Sequence, residues 1–234
     1  MMNKFRYAII CFTAVILWTG CSKSNDGPNV ELSDGTSTVI ADLAGDVDAS
    51  VGSSAPGKEK RDFHTFLFRF SDQKQTWLKT AADSAKYSKG TDWDIAFSGL
   101  YNSTLYVNNG QLNGNPASGN TSRHKVILLK ESYDKVSTAP SDADFDKSQL
   151  NDFGMIGNED SQGWYNYNLT NHLVAVVPNR TYVIRLTNGK YAKLQIVNIY
   201  KGNPPAVTDL NWPAPYFTFK YFVQEDGSKN LKTK

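Results

Sequence analysis

Hydrophobic and polar residues in this chain alternate one by one far more often than they recur every three or four positions, a pattern that predicts strands rather than helices. From residue 64 to residue 70, His64, Phe66, Phe68 and Phe70 fall on one face and Thr65, Leu67 and Arg69 on the other, the period of two expected of a strand with one buried side. Shorter stretches at 37–43, 76–78, 93–97, 104–107 and 125–129 carry the same strand character. The last third is the most regular: 181–187 and 190–200 flank Asn188-Gly189, a pair that accepts the positive φ angles of a type I′ hairpin turn. Residues 217–223 predict another strand, and Asp226-Gly227 a turn into a final short one. Residues 203–215 (NPPAVTDLNWPAP) hold too many prolines for a central strand. One helical turn over 80–86 is supported by Ala81, Ala82 and Ala85 but is too short to organise a fold. The sum is a mostly β single domain of about ten to twelve short antiparallel strands.

Between the strands lie polar stretches. Residues 52–61 (GSSAPGKEKR) read as a loop. Two are long: 108–122 (NNGQLNGNPASGNTS), almost wholly Asn, Gly, Ser, Thr and Pro, and 142–162, rich in Asp, Asn and Gly and holding Met155. Loops of that length are usually functional or disordered, so both are places to look for a site.

The N-terminus adds a destination. Lys4 and Arg6 precede an apolar run over 7–18 of about 12 residues, the length of a secretory signal and too short to span a membrane. Trp18-Thr19-Gly20-Cys21 resembles a lipobox, with Trp18 where an aliphatic residue is usual. The division expected is a lipoprotein signal peptide over 1–20, a flexible tether over 21–31 carrying lipid on Cys21, and a β domain over 32–234. The bland alternative is an ordinary secretory signal with an incidental cysteine. Cleavage before Cys21 removes Lys4, Arg6 and no acid, so 25 basic residues become 23 against 23 acidic ones, and no basic field remains for nucleic acid. Cys11 leaves with the signal, so no disulfide and no free thiolate ligand remain; stability must come from burial, for which the 12% of aromatic residues supplies area.

Catalytic signatures are absent: no Gly-x-Ser-x-Gly, His-Glu-x-x-His, phosphate-binding glycine loop or Cys-x-x-Cys occurs, and none of His64, His124 and His172 stands in a recognisable catalytic context. The expectation is a binding protein rather than an enzyme.

Several segments taken in order resemble one family. Trp93-Asp94-Ile95-Ala96-Phe97-Ser98 is followed by Asn108-Asn109-Gly110, then Tyr133-Asp134-Lys135-Val136, then YVIRLTNGKYAKLQI over 182–196, then Phe217-Thr218-Phe219-Lys220-Tyr221 with Asp226-Gly227-Ser228. From about residue 66 to residue 231 the chain resembles the HmuY-like haem-binding lipoproteins. The resemblance implies a hand-shaped, nearly all-β domain whose finger-like loops hold one non-covalent haem between two axial side chains, histidines or methionines in known members. It also implies an outer-membrane, lipid-anchored haemophore that serves iron acquisition by passing haem to a TonB-dependent outer-membrane haem transporter. Whether it stands on the cell surface or the periplasmic face stays open.

The ligand candidates are then His124 and Met155, with His172 as the alternative. His124 follows the first long loop between Arg123 and Lys125, cations suited to haem propionates, and its bland reading is a surface histidine at a strand start. Met155 lies in Gly154-Met155-Ile156-Gly157 within the second loop; its thioether is a soft iron ligand, and its bland reading is core filling. Together they place one candidate at the edge of each long loop, on the expectation that both loops reach a common pocket. His172 opens an apolar run and His64 starts a core strand, so packing is the simpler role for each. Tyr101, Tyr106, Trp164, Tyr165 and Tyr167 are candidate pocket walls, although any β core needs alternating aromatics. The competing reading is a surface interaction or carbohydrate-associated binding protein on the same scaffold, without haem.

Overall fold

A computed structural model of the protein describes residues 32–52, 57–158 and 160–234. The signal segment, Cys21 and the tether lie outside the described residues.

Fourteen strands occur among the described residues: β1 (Thr38–Ala44), β2 (Ala49–Ser50), β3 (Glu59–Lys60), β4 (Thr65–Phe68), β5 (Gln75–Leu78), β6 (Ile95–Ser98), β7 (Thr104–Val107), β8 (Lys125–Leu129), β9 (Asp152–Phe153), β10 (Tyr165–Tyr167), β11 (Val174–Val176), β12 (Thr181–Arg185), β13 (Tyr191–Asn198) and β14 (Tyr216–Gln224). Two short α-helices, α1 (Ala81–Asp83) and α2 (Asp142–Lys147), complete the regular structure with a few single turns. Two five-stranded antiparallel sheets, ordered β1-β14-β13-β12-β8 and β5-β4-β6-β7-β9, form the body.

The alternating aromatics explain why the sheets stack. Phe66, Phe68 and Phe97 project from one and Tyr182, Phe217 and Phe219 from the other, all at 0% exposure in one shared core. Phe97 meets Phe217 at 4.7 Å between centroids and Phe68 meets Phe219 edge-on at 5.3 Å, the tilted arrangements aromatic quadrupoles favour. Each such side chain contributes about 1.5–3 kcal/mol by leaving water. Both outer faces are covered as well. Phe145 of α2 packs with Val183, Tyr191 and Leu231 outside the first sheet, and Leu67, Trp93, Ala96 and Ala117 form a cluster outside the second.

Ala117 belongs to the Asn/Gly-rich stretch, which is a built layer. Asn108 donates to Trp93 O at 2.9 Å, Asn109 to His124 O at 2.7 Å and Asn115 to Val107 O at 2.9 Å, so amide side chains occupy buried carbonyls that lack strand partners. A Cβ on Gly110 would lie 2.1 Å from Asn120 O, which is why only glycine fits there.

Four local expectations are corrected. The hairpin of β12 and β13 forms, but its turn is not type I′: only Gly189 has positive φ, at 84°, with Gly189 N–H donating to Leu186 O at 3.0 Å and Leu186 N–H to Lys190 O at 2.8 Å. That is a three-residue loop closed by a glycine bulge, and Thr187 stays in it because its hydroxyl accepts Arg123 N–H at 2.7 Å. The stretch 142–162 contains α2, capped by Ser141 and Asp144 in a reciprocal capping box. Residues 163–177 contain the β10–β11 hairpin, where no strand was predicted. The final short strand is a single bridge, Thr138 to Asn230.

Candidate functional site

Strand direction sorts the connections into two ends of the sandwich. β6 runs from Ile95 to Ser98 and β7 back from Thr104, so the turn 99–103 lies at one end while Asp94 and Asn108 lie at the other. Because Leu105 pairs with Phe153, the chain leaving β9 at Gly154 and Met155 emerges beside the turn 99–103. Trp164 Nε1 donates to Ser103 O at 2.9 Å and the Tyr165 and Ser103 hydroxyls meet at 2.8 Å, which brings the β10–β11 hairpin to the same place. The connection from β13 to β14 joins it through Tyr200, whose hydroxyl accepts Val174 N–H at 2.8 Å.

These four segments carry nearly all of the exposed large apolar side chains. Leu100, Tyr101, Met155, Tyr167, Leu169, Leu210 and Trp212 are exposed there, and Val51 is the one other among the described residues. Burial pushes the pKa values of Tyr101 and Tyr200 up, the neighbouring Tyr167 adding to both, as expected of phenols crowded round one surface. Exposed apolar side chains gathered at a loop end, where strands need none, make that end the candidate binding surface.

Two side chains at this end, a methionine and a histidine, are of the kinds that ligate haem iron. Met155, 55% exposed and bridged to Tyr165, borders an open cleft of about 490 Å³ with Thr104, Asp152 and Gln162. His172 sits exposed at the hairpin tip, where Nδ1 lies 2.9 Å from Tyr167 Oη and no hydrogen bond reaches Nε2 among the described residues. Trp164 and Tyr165 form the buried floor under this surface, and Tyr101 and Tyr167 stand half-exposed above it.

His124 is at the opposite end. It is 4% exposed, its Nε2 is 3.2 Å from Asp94 Oδ1, and its Nδ1 is 2.8 Å from Thr187 Oγ1 and 3.1 Å from Ser122 Oγ. Thr187 N–H also donates to Nδ1 at 3.3 Å, so the ring carries its proton on Nε2 and both nitrogens are used. The length of β7, roughly 13 Å at about 3.3 Å per residue, separates its surroundings from those of Met155. The structure therefore does not bring His124 and Met155 together, although the two long loops touch, Asn115 Nδ2 donating to Asn151 Oδ1 at 3.1 Å and Asn151 Nδ2 to Asn113 O at 2.9 Å. Arg123 Nη1 is bound to Asn120 O and Ser122 O, and Lys125 Nζ to Ser148 O, so these cations accompany His124 at the far end. Tyr106 packs partly buried on the outer cluster of Leu67 and Trp93. Leu100, Leu169, Tyr200, Leu210 and Trp212 escaped the sequence reading; a lone tryptophan amid prolines was the available signal.

Among the described residues no group of three or more His, Cys, Asp or Glu side chains forms a metal site, and no helix is long and apolar enough to cross a membrane. A haem iron brings four nitrogens of its own and asks the protein only for axial ligands. A histidine with an unengaged nitrogen and an exposed methionine beside an apolar surface fit that requirement.

A model of the HmuY protein family matches residues 62–212. Among solved structures, the chain is similar to a candidate HmuY-like haem-binding protein of Bacteroides vulgatus ATCC 8482, at 17% identity over 68% of this chain and 84% of that one, with a TM-score of 0.38. It is also similar to a candidate lipoprotein of Bacteroides fragilis NCTC 9343, at 13% identity over 68% and 82%, TM-score 0.36. A third is the apo HmuY analogue of Tannerella forsythia, at 15% identity over 81% and 95%, TM-score 0.30. No curated protein matches the chain.

Proposed function

The chain belongs to the HmuY family, and on that premise we propose that it captures haem on the apolar loop end and passes it on without transforming it. The observation that carries the reading is that the loop end exposing Tyr101, Tyr167 and Trp212 also exposes a methionine, Met155, and a histidine, His172, the latter held by Tyr167. Haem offers two flat apolar faces and an iron with two axial positions. Tyr101, Tyr167 and Trp212 would supply apolar surface to hold the group, Trp164 and Tyr165 would back it from the core, and Met155 and His172 would supply the side chains that bind its iron. His124 with Arg123 and Lys125 is assigned a structural role instead. Lipid attachment at Cys21, an outer-membrane location and delivery to a TonB-dependent haem transporter complete the proposal.

Haemin titration of the domain tests it. The wild-type protein should give a saturable, red-shifted Soret band; Met155→Ala and His172→Ala should each broaden or shift it, and His124→Ala, if folded, should not. Unchanged spectra in both of the first two would overturn the ligand assignment. Absence of any saturable haemin binding would overturn the haem reading and leave this surface to a partner protein or polysaccharide.

A further inference from the structure

We propose that Tyr167 is the positioning residue for His172, its hydroxyl holding Nδ1 so that Nε2 is the nitrogen presented to iron; the proposal rests on the haem reading above. The β10–β11 hairpin supplies the geometry. The hydroxyl lies 2.9 Å from Nδ1, with the ring centroids 6.0 Å apart and their planes tilted by 47°, so the phenol meets the imidazole through its oxygen rather than by stacking.

The tip is built to keep the imidazole in that attitude. Asn168 Oδ1 accepts Thr170 N–H at 2.8 Å and Asn171 N–H at 3.2 Å, and Asn168 O accepts His172 N–H at 2.8 Å. Leu173 N–H donates to Asn171 Oδ1 at 3.1 Å, and Asn168 N–H closes the loop on Leu173 O at 3.0 Å. His172 itself has a φ of 58°, the left-handed region that side-chain-bearing residues seldom adopt. An exposed histidine gains no burial in return for that conformation, and strain of this kind gathers at ligand clamps.

A phenol suits both states of such a ligand because its oxygen donates and accepts. With the ring proton on Nε2, the Tyr167 O–H donates to Nδ1 across the 2.9 Å contact. Were Nε2 to hold iron, the ring proton would pass through water to Nδ1, the hydroxyl hydrogen would turn away, and Nδ1–H would donate to Tyr167 Oη. No net proton would be released. That hydrogen bond would fix the ring and raise its basicity towards the metal, favouring ferric over ferrous haem.

The test compares the wild-type chain, Tyr167→Phe and His172→Ala, each first shown by circular dichroism to be folded. In the free protein, the ¹⁵N shifts of the His172 ring should report a hydrogen-bonded Nδ1 that Tyr167→Phe loses. With haemin, Tyr167→Phe should bind about 10–100-fold more weakly and show a more positive midpoint potential. Wild-type affinity and potential in Tyr167→Phe, with the axial signature lost in His172→Ala, would overturn the role of Tyr167 and leave the haem reading standing. An unchanged haemin spectrum in His172→Ala would remove the ligand itself and the proposal with it.

Discussion

Lys193 illustrates how much one residue's meaning depends on what covers it. In the alternation of YAKLQI it reads as a solvent-facing position, yet it is completely buried. Its ammonium donates to Tyr133 O, Val136 O and Thr233 Oγ1, each at 3.0 Å, and sits 4.2 Å from the Tyr133 ring centroid. Burial draws its pKa down to about 8 from 10.5; Asp34 and Asp134 oppose the shift and Lys220 adds to it. Between those pH values the unfolded chain binds more protons than the folded one, so stability rises with pH across that window. Tyr191 and Tyr221 act in the opposite sense. Burial, with Asp142 adding at Tyr191, pushes both from 10 up to about 12, so above pH 10 the unfolded chain loses protons first and stability falls. Calorimetry from pH 7 to pH 11 should therefore show a melting temperature that climbs above pH 8 and drops past about pH 10. Lys193→Met should abolish the climb and leave the drop; a climb that persists in the variant would place its origin elsewhere.

Among the elements, α2 and the β10–β11 hairpin separate stability from binding. Ser141 caps α2 by accepting Asp144 N–H while the Asp144 carboxylate returns the contact, a Ser-x-x-Asp signature that was present in the sequence but submerged in a polar stretch. Ser141→Ala should cost about 1 kcal/mol in urea denaturation and leave haemin affinity unchanged, because α2 lies on the outer face of the sheet remote from the loop end. Gly163 is the contrasting case. A Cβ there would lie 2.4 Å from Gly154 O and 2.8 Å from Met155 O, both backbone atoms, so Gly163→Ala must move the segment that carries Met155. The expected result is a loss of about 1–3 kcal/mol together with weakened haemin binding, and wild-type affinity in this variant would argue against Met155 as a ligand.

For the whole molecule, the direction of β1 bears on how the site faces its surroundings. Thr38 pairs with Tyr221 and Ala44 with Tyr216, so the described chain starts near the His124 end and runs towards the loop end. Were Cys21 lipidated, the chain would enter the domain at the end opposite the apolar surface, and haemin should bind equally well to vesicle-anchored chain and to chain released from its anchor. Markedly weaker binding by the anchored form would refute that orientation. The strand-rich class, the β12–β13 pairing and the prolines that keep 203–215 out of the sheets were legible in the sequence because each is a local matter: the period of two, a glycine able to take positive φ, a missing amide donor. Which loops share an end was not. In the sequence His124, at the edge of a long polar loop between two cations, is the stronger candidate, and His172, opening an apolar run, only the alternative. Pairing between residues far apart in the chain buries the first between Asp94 and Thr187 and leaves the second exposed beside Tyr167. The same long-range pairing orders the Asn-rich loop, whose amides become structural only when the carbonyls of the 90s and of β7 are there to receive them. Local physics determined the elements; register and strand order, which no local pattern encodes, determined the site.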